Sequence, residues 1–153
     1  MHNEIKNDEK RHIIGLVVFD GERFLLLHRK LNWSGWEFAK GAIEDDESED
    51  DAIRRELFEE TGIKKYKVTT KLDEFNYFDD KRGVNSLISN YLLHVSSNSK
   101  VKLNNPHQLD GEIVLEHDDF RWFHPENVVN MLTHKNHKET MVKAIKYLGL
   151  NVE

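Results

Sequence analysis

The chain is 153 residues long, 38% hydrophobic and 33% charged, which suits one domain with a sizeable core. It has no cysteine, excluding disulfides, thiolate zinc sites and thiol nucleophiles. A formal net charge of −6 makes nucleic acid an unfavoured partner, because phosphate contacts need clustered Lys and Arg. No apolar run approaches the roughly 18–20 residues of a membrane span, and "MHNEIKNDEKRH" lacks a signal-peptide core. The expectation is a soluble, cytoplasmic, single-domain protein over residues 1–153.

"HIIGLVVFDGERFLLLHRK" reads as two apolar strands separated by Asp20-Gly21, a hairpin signal. The irregular stretch "NWSGWEFAKGAIEDDES", with Trp33 and Trp36, leads into a helix from Ser48 to Thr61. Ser48 has N-cap chemistry and Gly62 ends the helix. Strands follow within "YKVTTKLDEFNYF" and "SLISNYLLHV", and residues 96–111 read as loop. A further strand runs through "DFRWF". "PENVVNMLTH" and "KETMVKAIKYL" have helical spacing, with Met141, Ile145 and Leu148 recurring at i, i+4, i+7. The pattern predicts a mixed sheet with helices on its faces. His28 reads as a satisfied hydrogen-bonding histidine, and His134 and His137 as part of a solvated helix surface.

The predicted helix at 48–61 carries Glu49, Glu56 and Glu60 on one stripe, with Glu59 beside it and Ile53 and Leu57 adjacent. Like charges four apart cost an isolated helix roughly 0.2–0.5 kcal/mol. No lysine lies in the stripe, and Arg55 reaches Glu59 at i+4. A solvated acidic face is one reading. The other is a divalent-cation site, since crowded carboxylates at the edge of a core need the counter-charge that Mg²⁺ or Mn²⁺ supplies through oxygen ligands.

Residues 41–63, "GAIEDDESEDDAIRRELFEETGI", match G-x5-E-x7-R-E-U-x-E-E-x-G-U (U aliphatic) at Gly41, Glu47, Arg55, Glu56, Leu57, Glu59, Glu60, Gly62 and Ile63. The sequence resembles the Nudix hydrolases. "EHDDFRW", "AKGAIE" and the pair Asn76-Tyr77 are similar to segments of the diadenosine tetraphosphate hydrolase branch, with Ala39 where that branch usually has proline.

The resemblance implies an α/β fold, an α/β/α sandwich with a central mixed sheet and a loop–helix–loop catalytic motif. It implies hydrolysis of a pyrophosphate linkage with Mg²⁺ or Mn²⁺ and a small nucleotide substrate, with asymmetric cleavage of diadenosine tetraphosphate foremost. Glu56, Glu59, Glu60 and Glu116 would hold metal, together with the Lys40 carbonyl. Glu56 and Glu116 are the candidate general bases, and Arg55 would orient a glutamate of the cluster. Lys40 would contact phosphate, as Lys81 or Arg82 would if they are more than surface cations. Tyr77 reads either as a base-stacking platform or as a core tyrosine. ADP-ribose, nucleoside triphosphates, RNA 5′ ends and inositol pyrophosphates are alternative substrates, and a nucleotide-sensing module without catalysis is the non-enzyme alternative.

Overall fold

A computed structural model describes residues 10–80, 82–103, 106–109 and 111–151. In chain order it has strands β1 (Lys10–Phe19), β2 (Phe24–Arg29), β3 (Gly35–Glu37) and β4 (Ala39–Ala42), then helix α1 (Glu49–Thr61). Strands β5 (Lys67–Asp79), β6 (Val84–His94), β7 (Pro106–Leu109), β8 (Glu112–Leu115) and β9 (His117–Phe123) follow, then helices α2 (Pro125–Met131) and α3 (Lys135–Tyr147).

The β1–β2 turn forms at Asp20-Gly21: the Asp20 carboxylate accepts the Glu22 and Arg23 N–H groups at 2.9 and 2.6 Å, and Gly21 takes a φ of 100°. Beyond it the two strands pair only at Phe19↔Phe24 and then splay. The chain from Gly35 to Ala42 fills the opening. β3 pairs with β2 (Leu27↔Glu37), and after Phe38 the strand crosses over, so that β4 pairs with β1 (Gly15↔Lys40). The other edge of β1 pairs in parallel with β6 from Lys10↔Asn85 to Phe19↔His94, and β5 is antiparallel to β6. β9 lies antiparallel on β2. One parallel pair among antiparallel ones makes the sheet mixed.

β1 is apolar on both faces because both are covered. Ile14, Leu16 and Val18 pack with Ile53 and Leu57 of α1. Val17 and Phe19 pack with Val128 of α2 and with Met141 and Ala144 of α3. This is the α/β/α arrangement expected from the sequence.

Helix α1 starts at Ser48, whose hydroxyl accepts the Asp51 N–H at 3.1 Å, and ends at Gly62, left-handed with φ 76°. Two other expectations are corrected. Residues 96–111 contain β7, which pairs with β8 as a separate hairpin. The solvated-surface reading holds for His134, which is exposed, and fails for His137, which is buried. His137, inside α3, packs on Phe38 at 4.7 Å, and His134, the residue just before α3, meets Trp33 at 4.4 Å. His137 extends the Met141–Ile145–Leu148 stripe one turn toward the N-terminus, so the buried face is longer than its aliphatic part.

Candidate active site

The site forms where the splayed strands meet α1. Just after β4 the N–H of Ile43 bonds to the His12 carbonyl at 2.8 Å, which fixes the ladder phase. Lys40 and Ala42 then fall at positions whose backbone groups point away from β1. Both are used: Lys40 N–H reaches Glu60 Oε1 at 3.4 Å, and the Ala42 carbonyl accepts from Arg55 at 2.9 Å. Since N–H and C=O of one strand residue leave on the same side, the Lys40 carbonyl also faces the edge where Glu60 lies.

Arg55 organises the loop before α1. Its guanidinium makes a two-pronged contact with Glu47 at 2.7 and 2.9 Å and also holds Glu56 at 2.7 Å and Glu59 at 3.2 Å. These bonds, and the Glu44 N–H, hold the Glu47 carboxyl down at about 2. Gly41 is required by contact: a Cβ there would fall within the Glu56 carboxylate.

Glu56 and Glu60 are only 8% and 3% exposed. Burial, with further repulsion from Glu59 and Glu116, outweighs Arg55 and pushes Glu56 up to about 7. Burial and the charges of Glu116, Glu56 and Glu37 push Glu60 up to about 9. Both lie in the last two turns of α1, where the helix dipole is also negative and no basic residue occupies the last turn. Glu59 is different: half-exposed and paired with Arg55, it stands at the outer rim of the cluster.

Glu37 and Arg29 had no signal in the sequence reading, and His117 stood there only within the segment "EHDDFRW", without a role. Glu37 is fully buried, yet burial is outweighed by the His117 hydrogen bond and the charges of Lys40 and Arg29, which hold it at about 2. Because Glu37 is thus an acceptor only, His117 Nε2 carries the hydrogen in their 2.8 Å contact. His117 Nδ1 is buried without a hydrogen bond, 3.9 Å from Glu60 Oε1. Arg29 bridges Glu37 at 3.2 Å and Glu116 at 3.0 Å. Ligand atoms of Glu37, Glu116 and His117 lie within 4.8 Å of one another. Cations surround Glu37, whereas Glu56, Glu60 and Glu116 raise one another by repulsion where they gather. The donor set there is hard oxygen, which fits Mg²⁺ or Mn²⁺.

Tyr77 pairs with Ser86 and, through β6, shares a sheet face with Asn90, Gly15 and Lys40. It is 50% exposed, which removes the core-tyrosine reading. His28 bonds Asp118 at 2.7 Å, as a satisfied histidine should. Trp33 lies against His134 beneath Arg29, and Trp36 packs on Phe123 and His28. Arg82 pairs with Asp79 at the surface, and Lys81 lies outside the described residues.

The family model for the NUDIX domain matches residues 9–145. The chain belongs to the NUDIX family. This NUDIX chain is similar to an Ap4A hydrolase from C. elegans, with a TM-score of 0.74 at 21% identity over 91% of this chain and 98% of the other. It is also similar to the NUDIX domain of Shewanella oneidensis NrtR, solved with ADP ribose, with a TM-score of 0.70 at 16% identity over 97% and 99%. At those identities the likeness is one of fold. By sequence it is 36% identical over 78 residues to an RNA pyrophosphohydrolase of Bartonella tribocorum, covering 45% of each chain. The matched stretch spans less than half the length of such curated relatives, 29% for that of Histophilus somni. Among the described residues no helix is long and apolar enough to cross a membrane.

Proposed function

We propose that the chain is a Mg²⁺- or Mn²⁺-dependent pyrophosphohydrolase of nucleoside polyphosphates, with diadenosine tetraphosphate the leading substrate. The observation that carries this reading is the convergence of Glu56, Glu60 and Glu116, whose mutual repulsion calls for positive charge, beside the outward-facing backbone of Lys40. Bound divalent ions would supply that charge, neutralise phosphate oxygens and acidify water. Arg55 fixes one oxygen of Glu56, so that carboxylate is aimed before substrate arrives. Arg29 does the same for Glu116. One of these two carboxylates takes the proton of the attacking water as general base. Glu56→Gln and Glu116→Gln separate them: the variant that loses kcat while keeping metal affinity identifies the base.

Lys40, one-third exposed with Nζ 3.4 Å from Glu37, would offer its charge to a phosphate. Exposed Tyr77, on the same sheet face, offers an aromatic plane to a nucleobase. Attack at one phosphorus then yields a nucleoside triphosphate and a monophosphate. A panel of diadenosine tetraphosphate, nucleoside triphosphates, ADP-ribose and triphosphorylated RNA, run in ¹⁸O-labelled water with products identified by mass, tests substrate and attacked atom together. Tight nucleotide binding without hydrolysis under Mg²⁺ or Mn²⁺ would overturn the enzyme reading. RNA 5′ ends are the second reading, favoured by the RNA pyrophosphohydrolases whose sequences match.

A further inference from the structure

Lys64, Lys65 and Lys100 gather just beyond the C-terminal end of α1, although the whole chain is acidic. One groove, of about 350 Å³, lies between the segment after α1 and the turn after β6, and Lys64, Lys65 and Lys100 line it with Asn98 and no carboxylate. A second, of about 680 Å³, shares Lys64 and continues past Phe58 and Arg54 to Arg55. The only carboxylate lining either groove, Asp51, is paired with Arg54 at 3.2 Å. Lys64, Lys65 and Lys100 make no ion pair with a carboxylate among the described residues.

Phe58 is the second observation. It is 48% exposed on this face, and Lys64 Nζ stands 5.5 Å from its ring centre. A helix leaves a large aromatic in water at a cost of up to ~2 kcal/mol of forgone burial. Beside a cation such a ring is a platform on which a base can stack while phosphates meet the lysines. Arg54 and Arg55 of the second groove are held by carboxylates, so the cations offered to a ligand are Lys64, Lys65 and Lys100, spread along the first groove beside Phe58, which suits a chain of phosphates better than a single anion.

We propose that this strip is an accessory binding site for single-stranded nucleic acid, separate from the carboxylate cluster. Lysines of the first groove track the backbone, and Phe58 stacks on one base. A duplex buries its base faces and cannot use the ring. The proposal does not rest on the hydrolase reading, because a strand with no pyrophosphate satisfies it.

The test is fluorescence anisotropy on the full chain in EDTA, with a 3′-labelled, 5′-hydroxyl uridine oligonucleotide. If three phosphates are contacted, affinity should fall about twentyfold between about 50 and about 200 mM salt. Lys64→Glu with Lys65→Glu and Lys100→Glu should weaken binding by about tenfold or more, and Phe58→Ala by about fivefold or more. Hydrolysis of diadenosine tetraphosphate by both variants should stay at the wild-type rate, which also shows that they fold. The proposal fails if wild type does not bind, if neither variant weakens binding, or if a duplex of the same length binds equally. Displacement by inorganic tripolyphosphate with no effect of Phe58→Ala would instead mark a small-anion site and overturn it.

Discussion

Glu56 and Glu60 are carboxylates whose burial raises them well above the ordinary carboxylate range. The ordinary value for both is 4.5, while in the metal-free fold they titrate at about 7 and about 9. Between pH 4.5 and 9 the folded state therefore holds more protons than the unfolded one, and stability falls as pH rises. Glu37, held at about 2, acts in the opposite sense: its stabilisation is present above pH 4.5 and lost as pH falls toward 2. Metal-free protein should thus melt highest near pH 5 and lose on the order of a few kcal/mol by pH 9, with Mg²⁺ restoring the loss. Melting curves in EDTA that stay flat or rise over that range would contradict this assignment. Glu60→Gln keeps the volume and removes the charge. It should raise the metal-free Tm at pH 8, flatten the pH dependence, and cut kcat by about two orders of magnitude or more at saturating Mg²⁺.

The loop before α1 and the helix itself behave as one element because Arg55 joins Glu47, the Ala42 carbonyl, Glu56 and Glu59. Arg55→Ala should cost about 2 kcal/mol and make residues 43–48 the first site of protease nicking. Arg55→Lys should rescue little, since an ammonium cannot span both Glu47 oxygens and the carbonyl. Gly41→Ala tests a narrower point. Gly41 has no positive φ, so alanine is tolerated by the backbone and displaces only the Glu56 carboxylate. Mn²⁺ affinity measured by EPR should drop by about tenfold, with Tm little changed.

This element was the most legible in the sequence, because its signals are local: the Ser48 cap, the Gly62 stop and the spacing of the box. His137 and the β7–β8 hairpin were readable in principle. The first lies on the stripe of Met141 and Ile145, and the second brackets Asp110-Gly111. Glu37 and Arg29 were not readable, and His117 was legible only as a member of the "EHDDFRW" segment. Only the register of β2 against β3 and β9, including the bulge after His28, brings them together, and no window of sequence holds that information.

At the scale of the molecule, the site is where three layers meet at a break in the sheet. β1 and β2 part beyond their hairpin, and the opening lets buried charged groups reach α1 without crossing the apolar packing on either face. Layer order and sheet type followed from the alternation of strands and helices together with the box; strand order did not, because β1 pairs with β6 across intervening elements. The contact between Glu37 and His117 spans 80 residues. Such pairings close late, after most chain entropy has been lost. The carboxylate cluster can therefore be complete only once β9 has docked on β2, near the end of folding. A divalent ion would then add nothing to the folding transition state and hold only the finished structure. Stopped-flow measurements should show Mg²⁺ leaving the folding rate unchanged while slowing unfolding, so that the ion acts on the lifetime of the native state and not on the speed of reaching it.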